Sequence, residues 1–166
     1  GQESGDQGEA VQDAPDKKKA GKAHKVQLNE DIELFPDQPL PHLDHGPVKA
    51  YAARNQPDRA CVSLICSRDH VPQINKAEKY YGVVNQSAPS LIDHGVVRWA
   101  DGIEYYCFVY ADSFGKPLTE TIEGVGLGWS QEHAMKVFIE PMVNALRDMR
   151  DLDMVHGNIR ITNMYD

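Results

Sequence analysis

Two pairs of strand-length runs with one helix-length stripe between them limit this chain more than any other feature. Residues 48–54 and 60–66 are rich in apolar and β-compatible side chains, and the polar stretch Asn55-Gln56-Pro57-Asp58-Arg59 joins them. A connection that short predicts an antiparallel hairpin. A second hairpin is predicted over 96–110, turning at Asp101-Gly102, a dipeptide suited to positive φ. Within it, alternation puts Glu104, Tyr106 and Phe108 on one face and Tyr105, Cys107 and Val109 on the other. Between the hairpins, Ile74, Ala77, Tyr81 and Val84 recur at helical spacing, so 74–84 reads as a short helix. Strand, strand, helix, strand, strand is the pattern of an α+β domain with an antiparallel sheet.

The flanking segments have different physics. Pro36, Pro39 and Pro41 punctuate residues 26–45 and favour an extended, irregular lead-in strand over a helix. Residues 1–25 carry almost no large apolar side chains, too few to offset the entropy of ordering, and are expected to form a disordered leader. Its Lys17-Lys18-Lys19 run reads as solvated linker. After the second hairpin, residues 111–118 have linker composition. A long helix is then predicted over 131–152, with Ser130 as its N-cap and Glu132 in its first turn. Met135, Phe138, Met142, Leu146 and Met149 fall on one face of it. Pro141 lies inside the stretch and removes a backbone donor, so a kink or break is expected there.

Charge and cysteine content narrow the function classes. A formal net charge of −8 argues against nucleic acid or an anionic membrane as the main partner. No apolar run reaches the length of a membrane span. The three cysteines, Cys61, Cys66 and Cys107, form no spaced framework; they read as small apolar core residues of a protein in a reducing compartment, with the cytoplasm the expected location. The His42-Leu43-Asp44-His45 run has ligand-type residues but no distant partners at a recognisable spacing, and reads as loop surface. Gly124-Val125-Gly126-Leu127-Gly128 runs toward a helix N-terminus, yet it lacks a preceding strand and a following G-K-[ST], so it reads as a connection rather than a nucleotide loop.

The most specific motif is His156-Gly157-Asn158-Ile159-Arg160-Ile161-Thr162-Asn163. It keeps the first His and the last Asn of the catalytic loop H-R-D-L-x-x-x-N at the right separation, and together with the element order it resembles the protein-kinase-like domains. The resemblance covers residues 26–166: a kinase-like small lobe over 26–110, then a hinge and the first helices of a helical lobe over 111–166, ending at the catalytic loop. It implies that Val109-Tyr110-Ala111 is the hinge, with Val109 and Ala111 candidate nucleotide contacts, and that Phe108 is the gatekeeper. Asn163 would be the metal-binding Asn and Arg160 a phosphate contact. Gly1 in place of Met, and a chain that stops before any D-F-G segment, imply an excised or processed piece.

Three departures from the family pattern point toward pseudokinases. Asn158 stands where the catalytic Asp belongs, and an amide cannot take a proton near neutral pH. The strand that should read V-A-I-K reads Val62-Ser63-Leu64-Ile65-Cys66, so the fixed cation on the phosphates is missing and Glu78, the candidate helix glutamate, has no strand lysine to pair with. The glycine loop is replaced by Leu43-Asp44-His45-Gly46-Pro47-Val48, with one Gly, a Pro and an acid. The expected function is therefore non-catalytic: a regulatory module that binds a protein partner or its own C-terminal continuation, with no cofactor and ATP/Mg at most weakly held. Two alternatives stand beside it. One is an atypical nucleotide-binding or weakly active kinase using Lys49, which resembles the displaced lysine of the with-no-lysine kinases. The other is a structural half-domain completed by another polypeptide.

Overall fold

A computed structural model describes residues 24–70, 72–84, 88–112, 115, 129–155 and 164. The fold is α+β, built on a curled six-stranded antiparallel sheet with strand order β1-β2-β3-β4-β6-β5. The strands are β1 (Val26–Gln27), β2 (Ile32–Pro39), β3 (Val48–Asn55), β4 (Arg59–Cys66), β5 (Leu91–Arg98) and β6 (Glu104–Ala111). Helix α1 (Ile74–Tyr80) lies between β4 and β5 in the chain. Both expected hairpins form: β3 pairs with β4 from Val48 opposite Cys66 to Asn55 opposite Arg59, and β5 pairs with β6. Gly102 turns the second hairpin at φ +79°, a conformation that suits a residue without Cβ.

The lead-in segment is more ordered than a single irregular strand. Asn29 Oδ1 accepts from the Asp31 and Ile32 amides, turning β1 back onto β2, and Lys25 donates to Glu33. β2 then pairs with β3, with a register shift between Leu34 and Pro39 where Pro36 interrupts the ladder. The connection between β1 and β2 also reaches the far edge of the sheet. Asn29 donates to Asp93 of β5, and the Leu28 side chain lies against Gly95 at ordinary van der Waals distance.

Alternation sorts the side chains by face. Val26, Ile32, Leu34, Ala53, Cys61, Ile65, Val97, Cys107 and Val109 fill the inside of the curl, with Tyr51, Trp99 and Tyr105 packed against them. Leu34, Cys107 and Val109 are fully buried there. Burying each Val or Leu of this kind contributes about 1.5–3 kcal/mol. Ser63 is the polar exception on this face, and its hydroxyl donates to the Tyr51 carbonyl at 3.1 Å. A smaller outer cluster joins Leu43, Ala50 and Val62, flanked by Leu40 and Leu64.

Beyond the sheet, one long helical run spans three segments: α2 (Gln131–Ala134), a π-helical segment Met135–Ile139, and α3 (Glu140–Asp151). Ser130 caps it as expected, its Oγ accepting from the His133 amide at 3.1 Å. The expected disturbance at Pro141 takes the form of the π segment. Proline has no N–H for the Val137 carbonyl four residues back, and a widened turn absorbs both the missing bond and the ring. No residue of the three segments is buried. Asp153 closes the run at φ +54°, with its amide on the Arg150 carbonyl. Among the described residues, no helix is long and apolar enough to cross a membrane.

Two boundaries differ from the sequence expectation. Helix α1 ends at Tyr80, not near Val84, because Tyr81 is extended and Gly82 follows at φ +76°. Strand β5 begins at Leu91, well before Val96, since Asp93, His94 and Gly95 are held in the ladder against Val109, Phe108 and Cys107. The expected leader falls almost wholly outside the described residues, as does most of the expected linker after the second hairpin.

Candidate functional site

The outer face of the sheet carries the candidate site. Register places Val62, Leu64 and Cys66 of β4 opposite Tyr110, Phe108 and Tyr106 of β6, so all six side chains share that face. Helix α1 covers one side of it: the Tyr81 ring meets His94 edge-on at 6.3 Å, and the Tyr80 hydroxyl donates to the Pro89 carbonyl. His94 stacks on Tyr106, with Nδ1 at hydrogen-bond distance from the Tyr106 hydroxyl, and Phe108 lies 5.1 Å from Tyr106. Burial pushes Tyr110 up to about 12, so this surface is uncharged on its aromatic side.

On the β3 side, the segment 40–47 folds down over the same face. Pro41–Leu43 forms a 3-10 turn that buries Leu43 to 3% exposure against Ala50 and Val62. Asp44 pins the turn: one carboxylate oxygen accepts from the Ala50 amide at 2.9 Å, the other from Lys49 Nζ at 2.8 Å. Burial works against ionisation of Asp44, but Lys49 and the Ala50 amide outweigh it and hold its pKa below the ordinary value. Leu40 donates its amide to the Ala50 carbonyl, and His45 and Val48 exchange both backbone bonds.

Lys49 does not project toward this face. It stands opposite Ile65, a residue of the inner core, while its neighbour Ala50 belongs to the outer cluster. Its ammonium is exposed and tied to Asp44, which raises its pKa. Glu78 is exposed on α1, on the opposite, outer side, close enough to Tyr106 to help raise the phenol's pKa after burial has done so. Lys49 and Glu78 are therefore kept apart by the sheet. Among the described residues Glu78 forms no ion pair, and Lys79 pairs instead with Asp153 at 3.6 Å.

The expected hinge is strand, not linker: β6 continues through Ala111. The Val109 and Ala111 side chains both point inward and are buried, with Val109 laddered between Ser63 and Asp93. Neither side chain can reach a ligand on the outer face. The catalytic-loop positions His156, Asn158, Arg160 and Asn163 lie outside the described residues, as does the Gly124–Gly128 stretch. Among the described residues no group of three or more His, Cys, Asp or Glu side chains could hold a metal ion.

All three thiols are buried and free, as a core role requires. Burial raises each pKa, that of Cys107 to about 12. Cys66, the only one on the outer face, is thus a neutral group. Sequence reasoning missed two features of the site. The His94 contact with Tyr106 depends on β5 starting early, and the Leu43 cover depends on a turn between prolines that reads as plain loop. A third omission lies away from the site: Glu33, nearly buried on β2, accepts from Arg54 and Lys25. Its position opposite Arg54 could have been found by pairing β2 with β3.

No protein-family model matches the chain, and no curated protein matches it significantly.

Proposed function

We propose that the chain is a non-catalytic, pseudokinase-like module that works by binding another protein. The observation that carries this reading is the state of the outer face. The surface bearing Phe108, the gatekeeper in the kinase-like alignment, is apolar, presents Cys66 in place of a cation, and is covered at Ala50 and Val62 by Leu43. A nucleotide approaching it would meet a buried leucine and the carboxylate of Asp44, with the Lys49 ammonium already tied to that carboxylate. Phosphoryl transfer depends almost wholly on positioning and charge stabilisation, and both are lacking. The loss of the base at Asn158 points the same way.

A protein-binding role draws support from the helical run 131–151. Of its apolar stripe, Met135 is exposed and Phe138, Met142, Leu146 and Met149 are half-buried, and incompletely covered apolar stripes mark association surfaces. The nucleotide question is tested by thermal shift. Millimolar ATP with Mg2+ should leave the melting temperature unchanged, because each missing charge-assisted contact is worth about 1.5–3 kcal/mol of binding. A saturable stabilisation that disappears in Lys49→Ala would overturn the reading in favour of a nucleotide-binding kinase. Restoring the base with Asn158→Asp should give no radiolabel transfer to the chain or to a generic substrate.

A further inference from the structure

We propose that Asp44 is the latch of a movable strap, residues 40–47, that governs access to the apolar outer face at Ala50, Val62 and Leu64. The strap is anchored at its two ends by backbone. Leu40 bonds Ala50 at one end, and the mutual bonds of His45 and Val48 close a tight turn at the other. Between the anchors, the Leu43 and Asp44 amides bond only within the turn, to Leu40 and Pro41. Between the anchors, Leu43 meets the sheet by apolar contact, with Leu40 packed beside it, and Asp44 meets it by its carboxylate; past the turn, the Pro47 carbonyl accepts from the Ser67 amide.

That carboxylate replaces a piece of the sheet. The Ala50 amide of β3 points toward β2, but β2 slips in register between Leu34 and Pro39, and Asp44 takes the donor instead. A side chain standing in for a ladder bond can leave and return without unpairing strands. Gly46, at φ +54° with open space where a Cβ would be, gives the strap a pivot free of side-chain contact. The groups facing the latch are Lys49, its ion-pair partner, and His45, whose charge also favours the ionised carboxylate. Beneath the strap lie the apolar side chains of Ala50 and Val62, continuous through Leu64 with Phe108.

The latch stands on the strap's own contacts rather than on the pseudokinase reading, so its test uses no nucleotide. Amide hydrogen exchange is followed residue by residue in the unaltered chain, in Asp44→Ala and in Lys49→Met. Asp44→Ala should speed exchange at Leu43, residue 44 and Ala50 by about tenfold or more, the loss of a charge-assisted hydrogen bond, while the anchor amide of Leu40 and the strand amides of Val62 and Val109 keep their protection. Lys49→Met keeps the Ala50 bond and should give a smaller rise at the same three amides. Unaltered exchange there in both variants would overturn the proposal. So would a loss spread evenly over β4 and β6 in Asp44→Ala together with unaltered exchange in Lys49→Met, since Asp44 would then be part of the fold and not a latch. If Asp44→Ala unfolds the chain but Lys49→Met loosens only the strap, the latch is upheld.

Discussion

Single residues settle whether the candidate site is reactive, and they do so mainly by burial. Cys107 shows no surface in the folded chain and its thiol is pushed up to about 12, so thiolate is absent at neutral pH. A disulfide reagent should therefore label Cys107 only as the chain unfolds, at a rate tracking denaturant; rapid labelling of the native protein would contradict the burial. Leu43 is buried on the outer face without a strand of its own. Leu43→Ala should cost about 2–5 kcal/mol if its surroundings cannot collapse, and less if the strap lifts away, so a small loss read by denaturant melts would accompany a loose latch. Glu33 gives the pH dependence. The hydrogen bond from Arg54, then that from Lys25, lowers its pKa. A depressed carboxylate stabilises the fold above its unfolded pKa and loses that contribution as pH falls through the folded value. The melting temperature should therefore drop on acidification below the ordinary glutamate range, and Glu33→Gln should flatten that part of the profile.

Elements whose signals are local form where the sequence puts them. The Asp101-Gly102 turn, the polar connection after Asn55 and the Ser130 cap each act within a few residues, and each is found. Ser130→Ala should destabilise the helical run by about 1 kcal/mol, seen as lost ellipticity, because the His133 amide loses its acceptor. Elements that depend on distant chain were not legible. Asp93-His94-Gly95 has the composition of a turn, and it is strand because the ladder holds it opposite Val109, Phe108 and Cys107 of β6. Pro36 and Pro39 fit the extended strand expected of them and Pro41 opens the turn that follows, but nothing local says that Leu43 will be buried. The separation of Lys49 from Glu78 had a partial signal: Lys49 and Ala50 must face opposite ways on a strand, yet which of them meets α1 depends on the curl. At Pro141 the sequence named the disturbance, and the π segment is its form.

At the scale of the molecule, the described residues hold one well-packed curl and one helical run with no fully buried residue. Met135, Val137 and Val143 are 44%, 46% and 43% exposed along that run, and Tyr81, Val84 and Val96 add apolar surface beside α1 and β5. The polar flank of the helix is mixed in sign, with Lys136 on Glu132 and Arg150 on Asp151, so charge repulsion does little to keep copies apart. Apolar area of this kind favours association, each methylene removed from water contributing about 0.8 kcal/mol. The isolated chain should accordingly show a mass in light scattering that rises with concentration, and should brighten a dye that binds apolar surface. Met142→Asp places a charge in the middle of the stripe, where its desolvation opposes any packed interface, and should return the mass toward that of a monomer while leaving the sheet's melting transition unchanged. A chain that stays monomeric at high concentration and leaves the dye dark would mean that the stripe is satisfied within one molecule, and the protein-binding role would then need another surface, of which the face under the Asp44 strap is the best defined.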